Sequence, residues 1–405
     1  MKKSWLIICL INFCIAAIMG ILMRLNYLIP MEFNYGFMLH AHSHTVILGW
    51  CYLAVYGFLL SNFLSKDELE KPVYNRLFWV TEISVIGMMA SFPFQGYALF
   101  SIFFSTLHIL CSYYFCHLLL KNHRKITPIE GKMLKTALFF MFFSTLGVWC
   151  LGPVASSGAK DSAFYNLAIQ FFLHFQFNGW FLFAVLGLFF SKIQKMGIIL
   201  SQKMFKPFYW TFLGSIFLTY GLPLSWYFSS TIAQISNSFG LILQLISLFF
   251  LAKLLSPHLK KIRQNLSRTT LILYGFAFSC LVLKILIQSA TFLPEIALAS
   301  HTIRNFTIGF IHLIMLGIVN TFLFAFITEI SYFKSNYKFG NYSILLFLSG
   351  FVIMEFLLFH QGFCAYIGQK SVINYPLNLF LSSILLLIGL LFLLTIIFKS
   401  KKTTL

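Results

Sequence analysis

The feature of this sequence that most limits its fold is a series of twelve apolar runs separated by short polar connections. An apolar run of about 20 residues is long enough to cross the hydrocarbon core of a bilayer as a helix. The approximate limits of the runs are 5–27, 36–62, 77–94, 97–120, 134–153, 163–190, 208–228, 232–255, 269–291, 303–328, 341–366 and 376–398. We therefore expect an all-α polytopic membrane protein of about twelve helices, with residues 1–405 forming a single integral membrane domain.

The basic composition reports membrane topology rather than a nucleic-acid partner. The formal net charge is +19, but only 10% of the residues are charged and 59% are hydrophobic, which leaves too few ionisable groups for a nucleic-acid surface. Of the 29 Lys and Arg residues, 24 lie at the termini or on connections that follow even-numbered runs, including Lys334 and the tail from Lys399 to Lys402. Positive residues mark the cytoplasmic side. The sequence therefore predicts cytoplasmic termini in a bacterial-type inner membrane.

Histidines are the most informative polar residues, because ionisable groups at membrane depth are costly and often functional. The predicted spans that carry them are all even-numbered and enter from the outer face. At a rise of 1.5 Å per residue, the side chains lie about 6–17 Å deep. Imidazoles from several helices at one level suit an embedded metal or haem centre. The residues are His40, His42 and His44 in span 2, His108 in span 4, His174 in span 6 and His312 in span 10.

Helical periodicity separates the three histidines of span 2. His40 and His44 are four residues apart and share a face, whereas His42 points almost the opposite way. One face of the helix is therefore available to ligate a metal. The histidine or histidines on the other face form a hydrogen bond, contact lipid headgroups or belong to a different site. For any single buried histidine, a hydrogen-bonded packing role is the commoner one.

The arrangement of spans and histidines resembles the catalytic subunit of the haem–copper oxidase superfamily, particularly its cbb-type oxidase and nitric-oxide reductase branches. Leu39-His40-Ala41-His42 stands where that family has Leu-His-Thr-Asn, so the resemblance implies that His40 ligates a low-spin haem b. The string from His42 to His44, followed by Leu48-Gly49-Trp50, is also similar to the His-Ala-His-x-x-x-Leu-Gly-Trp string of NnrS-type proteins.

Span 10 carries a more specific likeness to the same family. The cbb-type pattern Thr-Ile-Gly-His-x-His appears here as Thr307-Ile308-Gly309-Phe310-Ile311-His312, followed by Leu316-Gly317. The resemblance implies that His312 is the second axial ligand of the low-spin haem, with His44 as the substitute for His40. Arg24 and Arg304 lie at the outer boundary, where haem propionates need cations, although snorkelling to the interface is the simpler explanation.

The sequence departs from the family where oxygen or nitric oxide is reduced. Phe310 replaces the axial ligand of the high-spin haem, and the run 208–228 contains no histidine for copper. Tyr209 and Tyr220 are not assignable to the crosslinked tyrosine of oxygen reductases. His174 falls where a copper ligand is expected. A compensating copper or iron site from His174, His108 and Gln176 is an alternative.

Three further ionisable residues lie within predicted spans, namely Glu82, Lys284 and Glu355. A proton path explains them no better than a structural pair or a capped carboxylate does.

Three functions therefore remain open from the sequence. The favoured one is a membrane haem protein with a bis-His low-spin haem, used for electron transfer from quinol or a cytochrome, or for handling oxygen or nitric oxide. The second is an active terminal oxidase or nitric-oxide reductase with altered ligands. The third is a haem-free transporter or assembly factor. Fold-level resemblance alone does not license a reaction.

Overall fold

The computed structural model describes residues 1–228, 230–330, 333 and 337–400, and all regular secondary structure in them is helical. Eleven of the described helices are long and apolar enough to cross a membrane. The prediction of an all-α polytopic membrane fold is confirmed. The helices are α1 (Lys3–Leu25), α2 (Tyr35–Phe63), α3 (Pro72–Gln95), α4 (Leu99–Asn122), α5 (Pro128–Ser156), α6 (Ala163–Lys195), α7a (Gln202–Leu218), α7b (Gly221–Tyr227), α8 (Thr231–Leu255), α9 (Arg268–Ser289), α10 (Arg304–Thr328), α11 (Tyr337–Tyr366) and α12 (Tyr375–Lys399).

The predicted span 208–228 differs from the structure, which has two shorter helices there, α7a and α7b. Pro223 has no N–H to donate to the carbonyl of Thr219, four residues earlier. The Leu222 N–H donates to the Thr219 carbonyl instead, at 3.2 Å, which is a tighter turn than an α-helix makes. A Cβ on Gly221 would lie 2.3 Å from the Ala233 carbonyl oxygen, so only glycine fits the close approach to α8. Hydropathy alone does not detect such a break.

The first and last described helices meet at one end. The Lys3 ammonium donates to the Phe398 carbonyl at 3.0 Å, across almost the whole length of the chain. Lys334, Lys401 and Lys402, which contribute to the predicted topology, lie outside the described residues.

The chain forms two compact units, and the division falls within α10. Unit 1 comprises Met1–Arg124 and Asn320–Leu405, and unit 2 comprises Lys125–Val319. Each unit has its own aromatic core.

In unit 1 an aromatic cluster joins α1, α2, α11 and the last part of α10. Phe13 stacks on Trp50 with ring centroids 4.8 Å apart, and Phe324 meets Phe347 edge-on at 5.0 Å. The Trp50 indole N–H donates to the Asn320 side-chain oxygen at 3.0 Å. This bond satisfies the one polar group that a buried tryptophan carries.

In unit 2 phenylalanines from α5, α6 and α7a form the equivalent cluster. Phe140 stacks against Phe175 at 5.8 Å and contacts Phe217 at 5.4 Å, while Phe143 meets Phe175 edge-on at 4.9 Å. These aromatic contacts join the three helices alongside a few polar bonds, such as the one between the Thr136 and Tyr209 hydroxyls at 2.7 Å.

Three helices change their hydrogen-bond register midway, from α to π. The π segments are Thr45–Tyr52 in α2, Phe175–Phe181 in α6 and Leu313–Asn320 in α10. Beyond the π segment each helix is buried on all sides for at least two turns, whereas the α segment before it is mostly half-buried. The wider π turn is rare and is frequently found at functional sites.

Helices α11 and α12 approach closely through small residues. A Cβ on Gly389 would lie 2.7 Å from the Ser343 carbonyl oxygen and 2.8 Å from the Phe347 nitrogen, both of which are backbone atoms. Small residues permit such close packing of membrane helices. By contrast, a Cβ on Gly275 in α9 would meet nothing within 4 Å.

We expect Gly389→Ala to lower the free energy of unfolding by about 1–3 kcal/mol, since the backbone of α11 must move. Gly275→Ala is the matched control and should be neutral or slightly stabilising, because alanine is the better helix former. The apparent melting temperature of each purified variant in detergent measures both. Equal melting temperatures for the two variants would contradict the tight α11–α12 contact.

Candidate functional site

Three of the histidines singled out in the sequence occupy the same place in their helices. Each is the last residue of an α segment and is followed directly by a π segment, and each has a glycine five residues later. The pairs are His44 with Gly49, His174 with Gly179, and His312 with Gly317. Helices α2, α6 and α10 therefore share one local arrangement, in which a histidine ends the α segment and a glycine lies within the π segment.

Helices α2 and α6 share a longer pattern, which an inspection of the sequence for repeats does not reveal. The pattern is His-x4-Gly-Trp-x3-Ala-Val-x-Gly, running from His44 to Gly57 and again from His174 to Gly187. The copies are short and far apart, so a search for periods of 20 to 50 residues overlooks them. Aligning the chain on its histidines would have found the repeat. In both copies the helix changes from α to π register directly after the histidine, and this change is visible only in the structure.

His44 has the orientation that a ligating histidine needs. Its Nδ1 lies 2.8 Å from the His40 carbonyl oxygen. A carbonyl only accepts, so Nδ1 carries the proton and Nε2 keeps its lone pair. The Nε2 atom lies 3.4 Å from the Tyr97 hydroxyl, and the ring packs 4.4 Å from Phe92. Histidines that bind metals generally donate their other ring N–H to such a carbonyl or carboxylate.

The other two histidines of α2 are placed differently. The ring of His40 lies edge-on to Tyr97 at 4.7 Å and makes no hydrogen bond to any residue that the structure describes. The Nδ1 of His42 lies 2.7 Å from the Ala16 carbonyl oxygen of α1, and its ring packs against Gly20. The prediction that His42 faces away from His40 and His44 is confirmed.

His108 and His174, the residues named for a copper ion, belong to different units. His108 in unit 1 is buried edge-on against Tyr52 at 4.7 Å, and its Nε2 has no hydrogen-bond partner among the described residues. His174 in unit 2 places Nε2 at 2.7 Å from the Ile216 carbonyl oxygen, so its lone pair is on Nδ1. The described part of the chain contains no group of three or more His, Cys, Asp or Glu side chains placed to share a metal ion.

Gln176, the third residue of the copper alternative, is fully buried in the π segment of α6. Its side-chain oxygen accepts from the Ser144 hydroxyl at 2.7 Å. This bond joins α6 to α5 and occupies the amide oxygen that a metal would use.

Phe310 and His312 lie at the end of the first α segment of α10. The Lys284 ammonium of α9 lies 5.9 Å from the centre of the Phe310 ring, an arrangement typical of a cation–π contact. Lys284 is 1% exposed. Phe310 therefore faces a buried lysine.

The two arginines assigned to haem propionates have different surroundings. Arg24 points towards α11 and α12, where it donates to the Leu379 carbonyl at 3.4 Å and contacts the Met354 sulfur at 3.2 Å. Arg304 is the first residue of α10 and is exposed. Both carboxylate oxygens of Glu355 are buried and have no hydrogen-bond partner among the described residues.

One histidine outside the spans is fixed by aromatic packing. His301, in the connecting helix Pro294–Thr302, stacks on Trp226 at 4.8 Å with an interplanar angle of 11°. Burial in this stack lowers the pKa of the His301 imidazole.

A buried polar bridge holds the π segment of α2 in place. The Asn12 amide of α1 donates to the Gly49 carbonyl at 3.1 Å and to the Glu82 carboxylate of α3 at 2.8 Å. Glu82 is 3% exposed, and a Cβ on Gly49 would lie 3.1 Å from the Asn12 nitrogen. Glu82 is therefore part of a structural contact between α1, α2 and α3.

We expect Asn12→Leu to lower the free energy of unfolding by about 2–3 kcal/mol, because a buried carboxyl group and a carbonyl lose their donor. Glu82→Gln keeps an acceptor for Asn12 and should unfold close to wild type. Thermal unfolding of both purified variants in detergent tests this. Wild-type stability of Asn12→Leu would show that the bridge does not hold α2.

Comparison with known proteins assigns no role to any residue of this region. No family model matches the sequence, and no curated protein matches it either. The assignment of the histidines therefore depends on the residues themselves.

Proposed function

We propose that this chain is a membrane haem protein in which His44 is an axial ligand of a haem b that transfers electrons. The observation that carries the proposal is the bond from His44 Nδ1 to the His40 carbonyl, which leaves the lone pair on Nε2, where the Tyr97 hydroxyl makes a long contact of 3.4 Å that a metal–ligand bond would replace. Because imidazole nitrogen suits iron, and because the register changes at the next residue, His44 fits the role of a haem ligand. The surrounding Phe92 and Tyr97 rings would pack well against a flat macrocycle.

The proposal differs from the motif resemblance in its choice of ligand on α2. The resemblance implies His40, but His40 contributes its backbone carbonyl to orient His44, and its own ring lacks an orienting bond to the described residues. We therefore assign His44 as the ligand and His40 as a positioning residue. The orientation of a ligating histidine is normally fixed by such a second bond.

The motif in span 10 implies His312 as a second haem-ligating histidine, and this part of the proposal rests on the sequence motif alone. His312 precedes the π segment of α10 just as His44 precedes that of α2. Two histidine ligands would hold a low-spin haem, whose chemistry is electron transfer. Arg304 and Arg24 are the proposed propionate partners, and a quinol or a cytochrome is the proposed electron donor.

The active-reductase alternative receives less support from the surroundings of Phe310. Reduction of oxygen or nitric oxide in the related family uses a histidine at this position, and here the phenyl ring faces the buried Lys284 ammonium. For copper the candidate ligands are His174, which would bind through Nδ1, and His108, which would bind through Nε2.

We also propose twelve membrane crossings with both termini in the cytoplasm of a bacterial-type cell. Eleven described helices are long enough to cross, and α7a with α7b would supply a twelfth. An even number of crossings agrees with the contact between Lys3 and the Phe398 carbonyl. The distribution of Lys and Arg supports the orientation.

The direct test is a reduced-minus-oxidised spectrum with pyridine-haemochrome quantitation on wild type, His44→Ala and His40→Ala. We expect one haem b per chain in wild type and in His40→Ala, because alanine keeps the carbonyl that orients His44. His44→Ala should lose the haem or its low-spin spectrum, since no nitrogen replaces Nε2. Loss in His40→Ala with retention in His44→Ala would reverse the assignment.

Two further variants complete the set. His312→Ala should lose the haem, whereas His42→Ala should retain it, because His42 bonds to the Ala16 carbonyl instead. A wild-type protein without haem after expression with added haem precursor would overturn the proposal and leave a transporter or assembly factor. Two haems per chain with a band shifted by carbon monoxide would favour an active reductase.

A further inference from the structure

Unit 2 contains a cavity of about 390 Å³ beside the break between α7a and α7b. Its walls come from α7b, the start of α8, the residues that follow α9 and the connecting helix Pro294–Thr302. Small-molecule sites in proteins occupy about 300–1,000 Å³. The cavity is therefore large enough for the ring of a small ligand, and none of the histidines discussed above lines it.

The wall of the cavity is uncharged. Of its thirteen described lining residues, seven are apolar, six are polar without charge, and none is Asp, Glu, Lys, Arg or His. An ion taken into such a site would lose its hydration without gaining a counter-charge. The uncharged wall excludes the charged headgroup of a phospholipid and favours a neutral ligand.

Asn237 supplies the polar contact that a ligand would use. The side chain lines the cavity and is 3% exposed. Its nitrogen donates to the Thr291 hydroxyl at 3.2 Å, and Thr291 in turn donates to the Gln288 carbonyl. The side-chain oxygen of Asn237 is buried and accepts no hydrogen bond from any described residue. A buried acceptor left in this state destabilises the protein. A ligand hydroxyl would satisfy it.

One side of the cavity is formed by exposed apolar side chains, which would face lipid in a membrane. Ile235, Phe239 and Ile242 repeat at helical spacing along α8, line the cavity and are exposed, Phe239 to 60%. Phe292 adds a second ring to the wall. Aromatic rings pack favourably on one another in offset or edge-on arrangements. A ring-bearing head within the cavity and an alkyl tail in the bilayer would suit this surface.

We propose that the cavity binds an uncharged amphiphile of the quinol class, meaning an alkylated hydroquinone or phenol that arrives through the bilayer. A ring hydroxyl donates to the Asn237 oxygen, the ring packs against Phe239 and Phe292, and the tail follows Ile235 and Ile242 into lipid. This site depends on its own residues, and it stands whether or not His44 binds haem.

The test is equilibrium binding of 2-decylhydroquinone, kept reduced under nitrogen, to wild-type protein in nanodiscs prepared without added haem. Its dimethyl ether is the matched ligand, since it keeps the ring and tail but has no hydroxyl to donate. We expect the hydroquinone to bind about tenfold more tightly than the ether, because only the hydroquinone satisfies the buried acceptor.

Two variants distinguish the hydrogen bond to Asn237 from the packing on Phe239. Asn237→Leu should abolish the preference for the hydroquinone over the ether. Ser247→Ala, on the same helix and outside the cavity, should keep it. If Asn237→Leu does not fold, Phe239→Ala removes an exposed ring and should weaken both ligands about threefold to tenfold. Equal affinity of wild type for hydroquinone and ether, or the lack of saturable binding, would overturn the proposal. The binding assay contains no added haem. Its result can therefore be interpreted even if the spectrum of the proposed haem site shows no haem.

Discussion

Backbone groups within a bilayer have no water to bond with, and the bond from Asn12 to the Gly49 carbonyl shows how this chain meets that constraint. A change from α to π register alters which N–H each carbonyl receives, so side chains from neighbouring helices must complete the bonding. Asn12 does so for α2, and Glu82 holds the same amide from the other side. The position of His44, one residue before the altered register, depends on this support.

The sequence predicted the helices well because each apolar run must satisfy its own backbone, and only a helix does so within a single segment. The start of α2 at Tyr35 and the end of α12 at Lys399 lie next to the predicted limits. The break after Leu218 was not predicted, since the residues on both sides of it are apolar. Pro223 was the available signal, but proline within a membrane helix is tolerated often enough to be ambiguous.

The candidate site was predictable only in part. Periodicity correctly separated His42 from His40 and His44, because the faces of a helix follow from spacing. The choice between His40 and His44 required a hydrogen bond that no spacing reveals. The cavity at Asn237 was not predicted at all, since its walls come from four separate segments. The Asn237 side-chain oxygen stands out only in the structure, where it receives no hydrogen bond from the described residues.

The repeat shared by α2 and α6 places two imidazoles in the same backbone setting, yet they use opposite nitrogens. His44 bonds to a carbonyl of its own helix through Nδ1, whereas His174 bonds to the Ile216 carbonyl of α7a through Nε2. The two helices thus share one backbone register while their histidines carry the proton on different ring nitrogens. The acceptor that lies beside each ring, and not the local helix geometry, decides which nitrogen is left with a lone pair.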